Sequence, residues 1–107
     1  MSHLRLLQPV PERERLAPVA DPGALAILWS LAPGPLRTLA LGRAAALGSS
    51  ATARRLRALL AAGLVRRRVL STVPPHVRWE LSAAGADVVR ATGPLRAWAR
   101  GGGDALQ

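Results

Sequence analysis

Between Asp21 and Glu80 the chain carries nine arginines and no acidic residue: Arg37, Arg43, Arg54, Arg55, Arg57, Arg66, Arg67, Arg68 and Arg78. A guanidinium keeps its charge at any ordinary pH and presents a planar fork of donors. It therefore suits phosphate oxygens and the O6/N7 edge of guanine. The whole chain of 107 residues has a formal net charge of +9, with 15 basic residues, all arginine, against six acidic ones. Outside the window six arginines balance six carboxylates, so the entire excess lies inside it. A surface built for solubility mixes both signs. A single-sign block inside a folded domain makes a directional field for a polyanion. The plain alternative is a solvated basic face, and a ribosomal or membrane-surface protein would show the same total.

Other chemistries lack their residues. There is no cysteine, which excludes disulfides, thiolate metal sites and thiol redox sensing. His3 and His76 are far apart and have no carboxylate cluster beside them, so no metal site is expected. No Ser-His-Asp set, carboxylate pair or phosphate-binding glycine loop is present, so neither an enzyme nor a cofactor is expected. The longest uncharged stretch, 22–36, is too short for a membrane span and contains three prolines. Residues 1–11 lack the pattern of a secretory leader. The expectation is a cytoplasmic, nucleoid-associated protein without membrane contact.

Half the residues are hydrophobic, enough for one domain with a modest core. Residues 1–20 read as an arm, because Pro9, Pro11 and Pro18 leave room for only a turn or two of helix over 12–17. Asp21-Pro22 is a helix start, with Asp as cap and Pro in the first position. Leu25, Leu28 and Trp29 repeat at helical spacing, with Ile27 and Leu31 widening the face, until Pro33-Gly34-Pro35 ends it. A second helix is expected over 36–46, then a break at Leu47-Gly48-Ser49. A third, capped by Gly48 or Ser49, continues to 62 and stops at Gly63. Its inward side would hold Thr52, Leu56, Leu59 and Leu60, and its outward side Ser50, Arg54, Arg57 and Ala61. Two helices joined by a short turn form a helix-turn-helix pattern.

Residues 64–71 and 77–82 then read as two strands joined through 72–76. In the second, Val77, Trp79 and Leu81 alternate with Arg78 and Glu80. A hairpin directly after a recognition-type helix is a wing. The last helix starts near Ser82 or Ala83 and carries Val88, Ala91, Leu95 and Trp98 on one stripe, with a kink or split at Gly93-Pro94. The fold class is mainly α with a small β-hairpin (α+β), a winged helix-turn-helix. It is divided as arm 1–20, winged domain with a C-terminal dimerisation helix 21–100, and flexible tail 101–107.

Residues 27–85 resemble the HxlR family of winged helix regulators, and more loosely the MarR type. The wing, Val73-Pro74-Pro75-His76-Val77-Arg78-Trp79-Glu80-Leu81-Ser82-Ala83-Ala84-Gly85, is similar without gaps to that family's "VPP-basic-V-acidic-aromatic-x-L-T-x-x-G". Arg55-Leu56-Arg57-Ala58-Leu59 running on to Ala62-Gly63-Leu64-Val65 resembles the end of its recognition helix. Gly34-Pro35-Leu36-Arg37 resembles its "GPxR", and Leu95 to Trp98 its "L-x-x-W". The chain departs from the pattern at Arg78, where the family carries an acid, and in a turn one residue shorter before the recognition helix. The family's Lys-Trp pair and N-terminal Cys are absent.

The resemblance implies a homodimeric, sequence-specific regulator, a repressor by first choice, that sets two recognition helices into successive major grooves of double-stranded DNA. Ser49 and Ser50 would let the helix N-terminus approach base edges, although capping is an equal reading for Ser49. Arg54, one turn on, could pair with guanine. Arg37 would meet a phosphate, and Arg66, Arg68 and Arg78 would clamp the backbone or enter the minor groove. Arg55, Arg57 and His76 complete the DNA-facing set. Val88, Ala91, Leu95 and Trp98 would dock on the partner subunit. Trp29, Trp79 and Trp98 could stack on bases, but each lies on an apolar stripe that suits core or dimer packing. Whether a small-molecule effector is used stays open. The rival readings are a winged helix for protein–protein contact and a basic RNA-binding module.

Overall fold

The computed structural model describes residues 10–101. His3, with the rest of residues 1–9 of the expected arm, and all but the first residue of the expected tail lie outside them. Among the described residues there are six helices and three strands.

Helix α1, Glu12–Leu16, is one short turn after Pro11. Helix α2, Pro22–Ser30, begins as expected: the Asp21 carboxylate accepts from the Ala24 amide at 2.9 Å, and Pro22 spends no donor. The chain next departs from expectation. Leu36 and Arg37 do not open a helix; they form strand β1, Leu36–Arg37. Gly34 precedes a proline and so avoids the helical region, and the extended residues that follow find a partner strand. Leu36 pairs with Trp79 and Arg37 with Arg78. Helix α3 is correspondingly shorter, Thr38–Ala44.

Helix α4, Ser49–Ala61, has Gly48 as its N-cap, so neither the Ser49 nor the Ser50 hydroxyl is spent on capping. Thr52 donates its hydroxyl to the Gly48 carbonyl at 2.9 Å and is buried together with Leu56 and Leu59. Leu60, expected inside, is exposed: three buried positions already fill the inward stripe, and Leu60 lies at its edge. At the far end Gly63 takes φ 76°, where a side chain would be strained. Its amide bonds the Leu60 carbonyl and the Leu64 amide bonds that of Leu59, both at 3.0 Å, which closes the helix in a Schellman motif.

Strands β2, Val65–Thr72, and β3, Pro75–Leu81, form a hairpin around Val73 and Pro74, longer than expected because pairing continues to Thr72 and Pro75. A register shift between Val69 and Ser71 lets the two arms stay paired. The sheet order is β1-β3-β2, antiparallel throughout. Helix α5, Ala83–Ala91, is capped by Ser82, whose hydroxyl accepts from the Gly85 amide and donates to the Gly63 carbonyl at 2.6 Å. Helix α6, Gly93–Ala99, follows a break at Thr92, where the split at Gly93-Pro94 was expected.

The core gathers Ile27, Leu28, Leu31, Leu41, Leu56, Leu59 and Val65. Burial of each such side chain contributes about 1.5–3 kcal/mol, so this cluster holds α2, α3, α4 and the sheet together. Trp79 closes it from the sheet, its indole N–H donating to Thr38 Oγ1 at 2.8 Å. The result is a helix-turn-helix, α3 and α4, followed by a three-stranded wing.

Candidate nucleic-acid interface

Burial of Thr52, Leu56 and Leu59 turns the opposite side of α4 to solvent. Ser50, Arg54 and Arg57 lie exposed there, with Arg54 and Arg57 one and two turns beyond Ser50. Ser49, three residues before buried Thr52, is exposed at the helix start on the side of α3. No acidic residue occupies the first turn of α4, so its positive end is unopposed. The two helices of the motif cross closely because Gly42 has no side chain: a Cβ there would sit 3.0 Å from Thr52 Oγ1 and 3.3 Å from the Leu47 carbonyl. Thr38, Leu39, Arg43 and Ser49 line the shallow cleft beside that crossing.

The wing extends the basic surface. Cross-strand partners put their side chains on one face. Arg37 pairs with Arg78, and Arg78 with Arg68, so the three form a row across β1, β3 and β2. At about 4.8 Å per strand the row is about 10 Å wide. All three are exposed. Arg66 stands opposite Glu80, and Glu80 also reaches Arg68 at 3.7 Å, so one carboxylate offsets part of four positive charges. Arg67 pairs with Trp79 on the other face of the sheet, yet is exposed.

Two expected contacts are placed differently. Arg55 turns away from the Ser50–Arg54–Arg57 side and grips Asp21: Nε donates to Oδ2 at 2.5 Å and Nη2 to Oδ1 at 3.3 Å. The Arg55 bond is the main cause that holds the Asp21 carboxyl below its usual range; desolvation opposes it, and the Ala24 amide assists. The guanidinium of Arg55 is held above its usual range by the same bond. His76 has its Nε2 shielded from solvent and without a hydrogen-bond partner among the described residues, so that atom is not displayed to a ligand. The Arg55–Asp21 pair was missed because Asp21 read only as a cap; its signal was a lone carboxylate at the edge of the arginine window.

The stripe expected to dimerise is divided. Val88 is half-buried against the core, whereas Ala91, Leu95 and Trp98 are exposed, Trp98 to 71%. A groove lined by Leu16, Val19, Val88 and Ala91 brings the arm and α5 together. Trp29 donates its indole N–H to Thr92 Oγ1 at 2.9 Å, and Arg96 lies over its ring at 5.8 Å, so this tryptophan packs rather than stacks on bases. Among the described residues no group of three or more His, Asp or Glu could hold a metal ion. No helix among them is long and apolar enough to cross a membrane.

The family model described as HxlR-like helix-turn-helix matches residues 21–105. Among solved structures, the transcriptional regulator ytfH from Salmonella typhimurium is 29% identical, with TM-score 0.77, over 90% of this chain and 87% of its own. The HTH-type transcriptional regulator ytcD is also 29% identical, with TM-score 0.77, over 92% of this chain and 100% of its own. A MarR-family regulator from Porphyromonas gingivalis W83, at 20% identity and TM-score 0.74, covers 87% of this chain and 96% of its own and shares the fold. No curated protein matches the sequence.

Proposed function

The chain belongs to the HxlR-like helix-turn-helix family, and on that premise we propose that this DNA-binding transcription regulator is a homodimeric repressor acting at a specific duplex site. The observation that carries the reading is the pairing of two exposed surfaces: Ser50, Arg54 and Arg57 on α4, and the Arg37–Arg78–Arg68 row on the wing. A helix with small residues at its N-terminus and arginines along one side suits the major groove. A flat row of guanidiniums suits the phosphates beside it and supplies affinity without sequence preference. Exposed apolar residues on the arm and α6 supply the surface for a second copy. A dimer would present the excess of +9 twice, once per half-site.

Selection from a random duplex pool, followed by titration of the enriched site, tests this. Enrichment of an inverted repeat, with affinity that falls steeply as salt rises, is expected. Preference for RNA in competition would favour the basic RNA module. Capture of a protein partner with little salt dependence would favour the protein–protein module.

A further inference from the structure

Arg54, Arg55 and Arg57 share helix α4, yet only Arg55 is partly withdrawn from solvent. Its two donors meet both oxygens of Asp21, a side-on contact between residues 34 apart in the chain. Asp21 Oδ2 also accepts from the Ala24 amide, so one carboxylate starts α2 and holds α4. Gly23 makes the space: a Cβ at that position would collide with Arg55 Nε and Cδ. At the other end of α2, Trp29 donates to Thr92 at the junction of α5 and α6, with Arg96 over its ring. Helix α2, nine residues and about 13 Å long, is thus tied at one end to the recognition helix and at the other to the C-terminal helices.

We infer that Arg55 is a positioning residue that, through Asp21, locks the recognition helix to α2 and sets the angle at which Ser50, Arg54 and Arg57 meet DNA. The inference rests on the DNA-binding reading above. It assigns one arginine of the basic window to the protein rather than to the nucleic acid. Asp21 discriminates the two roles. A carboxylate acting only through its field repels DNA, so its removal would tighten binding. A carboxylate that aligns the reading helix does the opposite.

The test is binding of wild type, Asp21→Ser, Arg55→Met and the double variant to the selected duplex and to a scrambled one, across a salt series. Serine keeps a side-chain acceptor for the Ala24 amide, and methionine keeps an apolar stem without the fork. Each single variant should lose about three- to thirtyfold on the selected duplex, and the double no more than either single. Affinity for the scrambled duplex and the salt slope should match wild type. Equal loss on both duplexes with a slope smaller by about 0.9 per contact would make Arg55 a phosphate ligand and overturn the inference. Tighter binding by Asp21→Ser, or unchanged affinity in both singles, would overturn it as well. Arg55→Lys, which keeps the charge but not the fork, should fall between wild type and Arg55→Met, and it carries the test if the other variants melt early. Wild type that binds no duplex would overturn the DNA-binding reading itself, and this inference with it.

Discussion

Arg68 and Arg78 face each other directly across β2 and β3, with Arg37 continuing the row on β1. Like charges directly opposite one another in a sheet oppose its formation. The single nearby carboxylate, Glu80, contacts Arg68 at 3.7 Å and leaves Arg78, the middle of the row, flanked by positive neighbours. A phosphate ligand seated on the row would relieve this arrangement.

Arg78→Thr should therefore act in opposite directions on stability and binding. Threonine suits an exposed strand position, and the loss of the central charge removes two like-charge contacts, so the melting temperature should rise. Binding to specific and random duplexes should weaken alike, and the log–log salt slope should flatten by about 0.9 per contact, or about twice that in a symmetric dimer. A salt series parallel to wild type would mean that Arg78 does not touch DNA.

On α4, Arg54 is exposed one turn beyond Ser50, and the proposed reading assigns it a base edge. Arg54→Ala should cost about 1–3 kcal/mol on the selected site and little on random DNA. An equal loss on both would make it a backbone contact.

The elements legible in the sequence are those with local signals. Asp21-Pro22 and Ser82 mark helix starts, and Gly63 marks a helix end, because capping is decided within a turn. The hairpin was legible from the alternation around Trp79. Strand β1 was not: two residues are too few for a period, and Leu36 becomes a strand only because Trp79, distant in the chain, offers an edge. For the same reason the site was half legible. The outward side of α4 follows from helical spacing, whereas the Arg37–Arg78–Arg68 row and the Arg55–Asp21 grip depend on pairings that no local pattern encodes.

The Asp21 carboxyl is held below its ordinary value chiefly by its bond from Arg55. A group whose pKa is depressed in the folded state adds stability above its unfolded value of 3.8, and that stability is lost as pH falls through the folded value. Wild type and Asp21→Ser should differ in urea midpoint at neutral pH and converge in acid. A difference that persists below the carboxylate range would mean that the ion pair contributes nothing.

Gly85 lies against the end of α4, where a Cβ would overlap the Leu64 carbonyl, a backbone atom held by the strand that follows. Ser82 bonds Gly63 beside it, so α5 has little freedom to retreat. Gly85→Ala should destabilise the fold by about 1–3 kcal/mol, as overpacking does, despite its better helix propensity. Calorimetry showing a stabilised variant would refute the close contact.

Trp98 is 71% exposed, and Leu16 and Leu95 are 56% and 46% exposed, so among the described residues the arm and α6 each leave large apolar side chains uncovered. Isolated exposed apolar residues need no explanation, but a tryptophan and two leucines on elements that pack only lightly on the core suit an interface. A lasting dimer needs about 1,200 Å² or more buried in total, so the proposed interface would extend from α6 onto the arm. Leu16→Glu should therefore impair assembly as much as Trp98→Glu does. Neither side chain belongs to the core cluster, so both variants should still fold and melt cooperatively, with a midpoint that no longer depends on protein concentration. Sedimentation at micromolar concentration should give twice the chain mass for wild type and the single-chain mass for each variant. On the selected inverted repeat the variants should bind as weakly as wild type binds an isolated half-site, since the two recognition helices would no longer be joined. Wild type that sediments as a single chain, both free and on DNA, would remove the dimer from the proposal and leave each half-site to be read independently.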